Sequence, residues 1–226
     1  MLENLFSQIP HDASVLDVGC LGFRQYRTSR RLNFAEHKHF GIDYSKPSEP
    51  IPKGFVYKGV DLNKKPIPFK DDSFHLVVAS HVMEHLRDPV QFFGECLRVC
   101  KPGGLLYVEV PSERSLFLPG MPFKHDKFFS LSFFDDPTHL SRPWSPQSLH
   151  RLTRYFQCEP VHADYIYSLK HRLLFPALFA YAWITRNAQK LEIWSWGAVG
   201  WSSYLVARKP LGTKGKPSFK YYIPER

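Results

Sequence analysis

Four groups of residues in this 226-residue sequence have the types and spacings that could do chemistry. The first is Asp17-Val18-Gly19-Cys20-Leu21-Gly22, with Asp43 standing 21 residues after Gly22. Glycines let a backbone pass close to a ligand, and a carboxylate ending the next strand can accept hydrogen bonds from two ribose hydroxyls. The same residues also suit an ordinary strand-to-helix turn with Asp43 as a helix cap. The second group is His81-Val82-Met83-Glu84-His85. Spacing of i, i+3 and i+4 on a turn or short helix brings its polar side chains to one face. Two imidazoles and a carboxylate suit Zn²⁺ or another divalent ion. Such a run equally packs a cleft and bonds backbone groups, and no metal is assigned to it. The third group is Asp136 and His139, with His125 and Asp126 near them in sequence. The fourth is Arg24, Arg27, Arg30 and Arg31, which could hold a phosphate but reads better as a solvated helix face.

The elements that must position these residues follow from the apolar pattern. Short β-branched runs at residues 14–18, 40–42, 55–57, 74–79 and 105–110 alternate with helical stretches, the pattern of βαβ units and a parallel sheet. Asp17, Asp43, Asp61 and Ser80 all fall at or just beyond the ends of such runs. Between the fourth and fifth runs, Asp88 and Pro89 predict a helix start, and Lys101-Pro102-Gly103-Gly104 predicts its stop. A second helix opens at Ser145-Pro146 with Leu149, Leu152 and Phe156 on one face, and strands are expected at 163–167 and 202–207. The fold class is therefore α/β, a Rossmann-like and mostly parallel sheet of about seven strands with helices on both faces.

Composition bounds the rest. With 43% apolar and 23% charged residues, the chain is not disordered, collagen-like or of low complexity. One domain is expected over residues 1–210, with 111–144 as an aperiodic lid over the acceptor, 170–190 as an apolar helical insertion and 211–226 as a basic tail. A net charge of +9 favours anionic partners. The four cysteines form no Cys-x-x-Cys pair, the start has no basic and apolar leader pattern, and the expected setting is the reducing cytoplasm. The apolar run Leu173–Ile184 is 12 residues long and contains Pro176, whereas a membrane span needs about 20. Residues 172–186 thus suit either a core or dimer-interface helix, the favoured reading, or peripheral contact with the inner face of a membrane. A monomer or a homodimer fits equally.

The stretches Val15-Leu-Asp-Val-Gly-Cys20, Gly41-Ile-Asp-Tyr44, Pro68-Phe-Lys-Asp-Asp-Ser-Phe74 through His85, and Leu97-Arg-Val-Cys-Lys-Pro-Gly-Gly-Leu105 carry a family resemblance. In order and spacing they resemble the class I S-adenosylmethionine-dependent methyltransferases, in the small-molecule branch of types 11 and 23. The resemblance implies S-adenosyl-L-methionine as cofactor. Asp17 and the backbone from Gly19 through Cys20 to Gly22 would hold its methionine part. Asp43 would take the ribose, and Tyr44, Asp61 and Leu62 would surround the adenine. Ser80 and His81 would face the sulfonium and the acceptor. An acceptor hydroxyl also needs a base; the expected one is His139, with Asp136 or His81 orienting it or the acceptor, although a histidine that only pins the lid fits the same spacing.

The implied reaction is O-methylation of a small molecule or of a glycan- or lipid-linked precursor. One departure stands out: relatives read Gly-x-Gly-x-Gly where this chain has Gly19-Cys20-Leu21-Gly22-Phe23. Leu21 would crowd the cofactor unless the turn is rebuilt. A catalytically weak or inactive cofactor-binding protein is therefore one alternative. An RNA-modifying methyltransferase is another, disfavoured because arginines and aromatics do not interleave.

Overall fold

The computed structural model describes residues 2–124, 127 and 129–212; His125, Asp126 and most of the expected basic tail lie outside the described residues. Seven strands form one sheet: β1 (Ser14–Val18), β2 (Lys38–Asp43), β3 (Val56–Gly59), β4 (Phe74–Ser80), β5 (Cys100–Pro111), β6 (Glu159–Ile166) and β7 (Ser202–Arg208). Their order is β3-β2-β1-β4-β5-β7-β6. Neighbours from β3 to β5 run parallel, whereas β7 is antiparallel to both β5 and β6. This is the mostly parallel sheet that the alternating pattern predicts.

Alternation along the strands supplies both faces of the core. Leu16, Val18, Val77, Ala79, Leu106 and Val108 belong to one buried cluster. Their neighbours Val15, Leu76, Val78, Leu105 and Tyr107 belong to another. Successive side chains point to opposite faces of a strand, so β1, β4 and β5 are covered on both sides. Helices α1 (Leu2–Leu5), α2 (Arg24–Arg31), α3 (Pro89–Val99) and α4 (Pro146–Tyr155) flank this sheet. The Asp88 carboxylate accepts from the Gln91 amide at 2.8 Å and fixes the start of α3. The expected stop at Lys101 comes earlier: α3 ends at Val99 and β5 begins at Cys100. On α2, Arg27 pairs with Glu49 and Arg31 with Glu3 at the surface, as a solvated face would.

The cysteines pack as small apolar side chains. Cys20, Cys96, Cys100 and Cys158 are all unpaired and buried. Burial pushes the thiols of Cys20, Cys100 and Cys158 up to about 12, and that of Cys96 well above its ordinary value.

Residues 111–144 contain only two short 3₁₀ turns, Glu113–Phe117 and Phe133–Asp135, among the described residues. Their ends are tied down. Trp144 donates its amide to the Pro111 carbonyl at 2.9 Å. The indoles of Trp196 and Trp201 donate to the carbonyls of Ser130 and Leu131 at 2.8 and 2.7 Å.

Between β6 and β7 the chain forms a helical hairpin, α5 (Leu169–Ile184) and α6 (Ala188–Val199). Here the structure departs from the expectation of a core helix packed on the sheet. Ala182 is the one buried residue of α5. Instead of lying on the sheet, the hairpin packs on the lid, where Ala182 and Leu191 cluster with Leu131. Apolar character all round a helix does not say which neighbour exists to cover it.

Candidate active site

The carboxyl ends of β1, β2, β4 and β5 lie along one edge of the sheet. Register places Val18 beside both Ile42 and Ala79, and Ser80 beside Glu109. Crevices outside such strand ends are where open α/β sheets bind ligands.

The turn after β1 is built by two glycines. Gly19 has φ +78°, and a Cβ there would meet Val82 Cγ2 at 2.7 Å. Its amide and that of Cys20 both donate to the Ile42 carbonyl, at 2.9 and 3.3 Å, which clamps the ends of β1 and β2 together. Gly22 at φ 75° and Phe23 at φ 47° are both left-handed. The Leu21 side chain is exposed. The Cys20 side chain points inward, packed with Phe23 and Phe55, so only its backbone is available to a ligand at this turn. Asp17 is buried, and burial raises its carboxyl well above the usual range against the pull of the Gln25 amide and Arg24.

Asp43 ends β2 half-exposed, with Oδ1 accepting from the Ser45 amide at 2.9 Å, and Tyr44 beside it is open to solvent. Asp61 accepts from the Asn63 amide at 3.0 Å and pairs with Lys64 at 3.1 Å. The Lys64 contact, with the Asn63 amide, holds its carboxyl below the ordinary value. Leu62 packs against the main core. A cavity of about 310 Å³ lined by Leu62, Asn63 and Arg87 opens beside this loop, and another of about 450 Å³ lies between α3 and α4. Neither is lined by the glycine turn, so the strand ends and not the cavities locate the site.

Ser80 ends β4, and His81 follows in the left-handed region at φ 56°. The His81 ring is held between two carboxylates, with Nδ1 3.1 Å from Glu84 Oε1 and Nε2 3.3 Å from Glu109 Oε1. Burial alone would lower its pKa, but the hydrogen bonds and charges of Glu109 and Glu84 raise it to about 10. His81 is therefore an imidazolium at neutral pH, a donor and not a base. Glu109 also accepts from the Tyr107 hydroxyl at 2.7 Å. Burial would raise the Glu109 carboxyl, and His81 with Tyr107 holds it below the ordinary value. The sequence reading passed over Glu109; its signal is a lone carboxylate in an otherwise apolar strand.

The lid brings the third group to the same place. His139 is 6% exposed at its side chain, with Nε2 3.8 Å from Asp136 Oδ2. Its Nδ1 lies 2.8 Å from the Phe133 carbonyl, which can only accept, so Nδ1 carries a proton. Asp136 accepts from the Thr138 amide and hydroxyl at 2.8 and 2.6 Å. Burial would raise the Asp136 carboxyl, yet Thr138 and the two nearby histidines hold it below the ordinary value. The amides of Leu140 and Ser141 donate to the Glu84 carbonyl at 2.8 and 3.0 Å, pinning the lid to the turn after β4.

Within the second group the geometry differs from the expected face. His81 keeps its contact with Glu84, but His85 turns to Thr138, and Glu84, His85 and His139 offer atoms all within 4.8 Å of one another. Of the described residues, these three could hold a cation. Oε2 of the buried Glu84 has no hydrogen-bond partner among them.

Residues 16–108 match the family model described as a methyltransferase domain. A probable S-adenosylmethionine-dependent methyltransferase of Mycolicibacterium smegmatis is 39% identical over 121 residues, 52% of this chain and 46% of that protein. The ubiquinone biosynthesis O-methyltransferase of Caulobacter vibrioides is 28% identical over 102 residues, 42% of this chain and 39% of that protein. These matches thus span less than half the length of either relative. Among solved structures, a SAM-dependent methyltransferase from Archaeoglobus fulgidus superposes with a TM-score of 0.61 at 19% identity, covering 92% of this chain and 91% of that one. A Haloferax volcanii methyltransferase solved with the Trm112 methyltransferase activator gives 0.68 at 18% identity, covering 94% and 89%. At such identities the structures speak for the fold alone. Over residues 16–108 the chain is thus similar to the methyltransferase domain family, and its sheet has the fold of solved S-adenosylmethionine-dependent methyltransferases.

Proposed function

We propose that the chain moves a methyl group from S-adenosyl-L-methionine to an oxygen of a small molecule or of a glycan- or lipid-linked precursor. One observation carries the cofactor assignment: the Gly19 and Cys20 amides on the Ile42 carbonyl hold the ends of β1 and β2 side by side, with left-handed Gly19 at one and Asp43 at the other. Asp17 and the backbone of Gly19, Cys20 and Gly22 would hold the methionine part. Asp43 would hold the ribose hydroxyls, and Tyr44, Asp61 and Leu62 the adenine. The cofactor supplies a methyl carbon already activated by its sulfonium.

The protein's own task is then to align an acceptor oxygen, exclude water and remove one proton. In this reading Ser80 and the His81 cation, at the end of β4, orient the acceptor. Nε2 of His139 would take the proton of an acceptor hydroxyl as general base. Asp136 stabilises the imidazolium that results. The choice of oxygen rests on His139, in a segment that the Leu140 and Ser141 amides tie to the turn after β4 through the Glu84 carbonyl.

Titration with S-adenosylhomocysteine tests the cofactor half, and methyl transfer from labelled donor to fractionated small-molecule and lipid extracts tests the acceptor half. Absence of binding removes the whole reading. Binding without transfer to any fraction favours a cofactor-binding protein without catalysis. Transfer confined to an RNA fraction, weakening steeply with salt, replaces the acceptor class.

A further inference from the structure

We propose that the outward face of α5 is a docking surface for an anionic lipid bilayer. The inference concerns a partner of the fold and does not require that methyl transfer be the activity. It starts from an anomaly in burial: α5 is an apolar helix with its apolar side in solvent. Leu169, Leu173 and Ile184 are 65%, 72% and 79% exposed. At helical spacing they fall on one stripe with Pro176, Ala177 and Ala180, all exposed. Leu174, Tyr181 and Trp183 widen it. Apolar patches left contiguous on a folded surface mark interaction sites.

Charge identifies the occupant. No Asp or Glu occurs from Tyr165 to Leu191, whereas Lys170, Arg172, Arg186 and Lys190 all do. An apolar stripe with cationic shoulders and Trp and Tyr toward one end matches the headgroup zone of an anionic membrane. There the stripe enters the acyl boundary while lysine and arginine stems snorkel to the phosphates. A second copy of the chain is the weaker occupant. A two-fold contact through this face would set the same all-cationic border against itself. Length fixes the mode of contact. The 16 residues of α5 extend about 24 Å, short of the roughly 30 Å hydrocarbon core, and no described helix is long and apolar enough to cross a membrane. The helix lies in the interface plane.

Docking through α5 also places the acceptor side of the protein. The hairpin is joined to the lid by the Leu131–Ala182–Leu191 cluster, and the Ser130 amide donates to Glu192 Oε1 at 2.8 Å. A bilayer that seats the outer stripe of α5 therefore meets the side of that helix opposite Ala182 and the lid.

The test is co-sedimentation of the 226-residue chain with vesicles of phosphatidylcholine alone and with vesicles enriched in phosphatidylglycerol. Binding to the anionic vesicles, weakening with salt, is expected. Leu173→Asp with Ile184→Asp should weaken it at least about tenfold. Lys170→Ala and Arg186→Ala should each weaken it about fivefold, from about 1 kcal/mol per cation. All four positions are exposed, and unchanged circular dichroism and S-adenosylhomocysteine binding separate a docking defect from a folding or cofactor defect. Three results would overturn the proposal. One is no binding to either vesicle; another is equal binding by the double aspartate variant. The third is a dimer in light scattering that the aspartates dissociate while vesicles capture nothing.

Discussion

Nε2 of His81 lies 3.3 Å from Oε1 of Glu109, a residue 28 positions later on the neighbouring strand. This contact, with the one to Glu84, keeps His81 charged up to a pH of about 10. A histidine whose pKa rises on folding stabilises the protein fully below its unfolded value of about 6.5, and that contribution is lost as pH rises through the folded value. Glu109→Gln should therefore lower the melting temperature most near pH 6, with the gap from wild type closing toward pH 10. Thermal melts across that range check it. A gap independent of pH would mean that Glu109 acts by packing alone.

Asp43 is half-exposed at the end of β2, and the one described hydrogen bond of its side chain is local, from the Ser45 amide. Asp43→Ala should leave the fold intact and weaken S-adenosylhomocysteine binding at least about tenfold, or about 1.4 kcal/mol. Calorimetric titration measures this directly. An unchanged dissociation constant would remove the ribose assignment.

Gly19 combines a left-handed φ of +78° with a Cβ position 2.7 Å from Val82 Cγ2. Gly19→Ala should cost about 1–2 kcal/mol in backbone strain, with the clash added. The paired change Gly19→Ala with Val82→Ala should recover part of the loss in thermal stability, because it removes the clash and leaves the strain. No recovery would show that the space beside Val82 is not what requires glycine. Leu21, being exposed, is expected to tolerate Leu21→Gly with cofactor binding kept or improved.

His139→Gln should reduce turnover by about 10²–10⁴-fold while S-adenosylhomocysteine binding stays unchanged. The base reading also predicts that dialysis against a chelator leaves turnover intact. Activity lost to the chelator and restored by Zn²⁺ would instead make His139 a ligand together with Glu84 and His85.

Local patterns in the sequence carry most of the sheet. The nearly continuous apolar run of β4, the Gly19 turn and the strand-ending Asp43 all lie within a few residues of the feature they announce. Partners across the sheet were not legible in the same way. Nothing near residue 81 shows that its imidazole meets Glu109, since strand register decides that contact. The spacing of 81, 84 and 85 announces the His81–Glu84 contact but not the approach of His139 to Glu84 and His85, which backbone bonds to Glu84 bring about. For α5, composition gives the helix but not its surroundings: an interior helix and one meant for lipid are written in the same residues.

Burial of all four cysteines has a practical consequence. With thiolates suppressed and sulfur atoms out of reach, the native molecule should be silent to maleimides under folding conditions. A single cysteine placed on the outer stripe of α5 would then be the sole attachment point for a dye or spin label, reporting depth of insertion with no background from the rest of the chain.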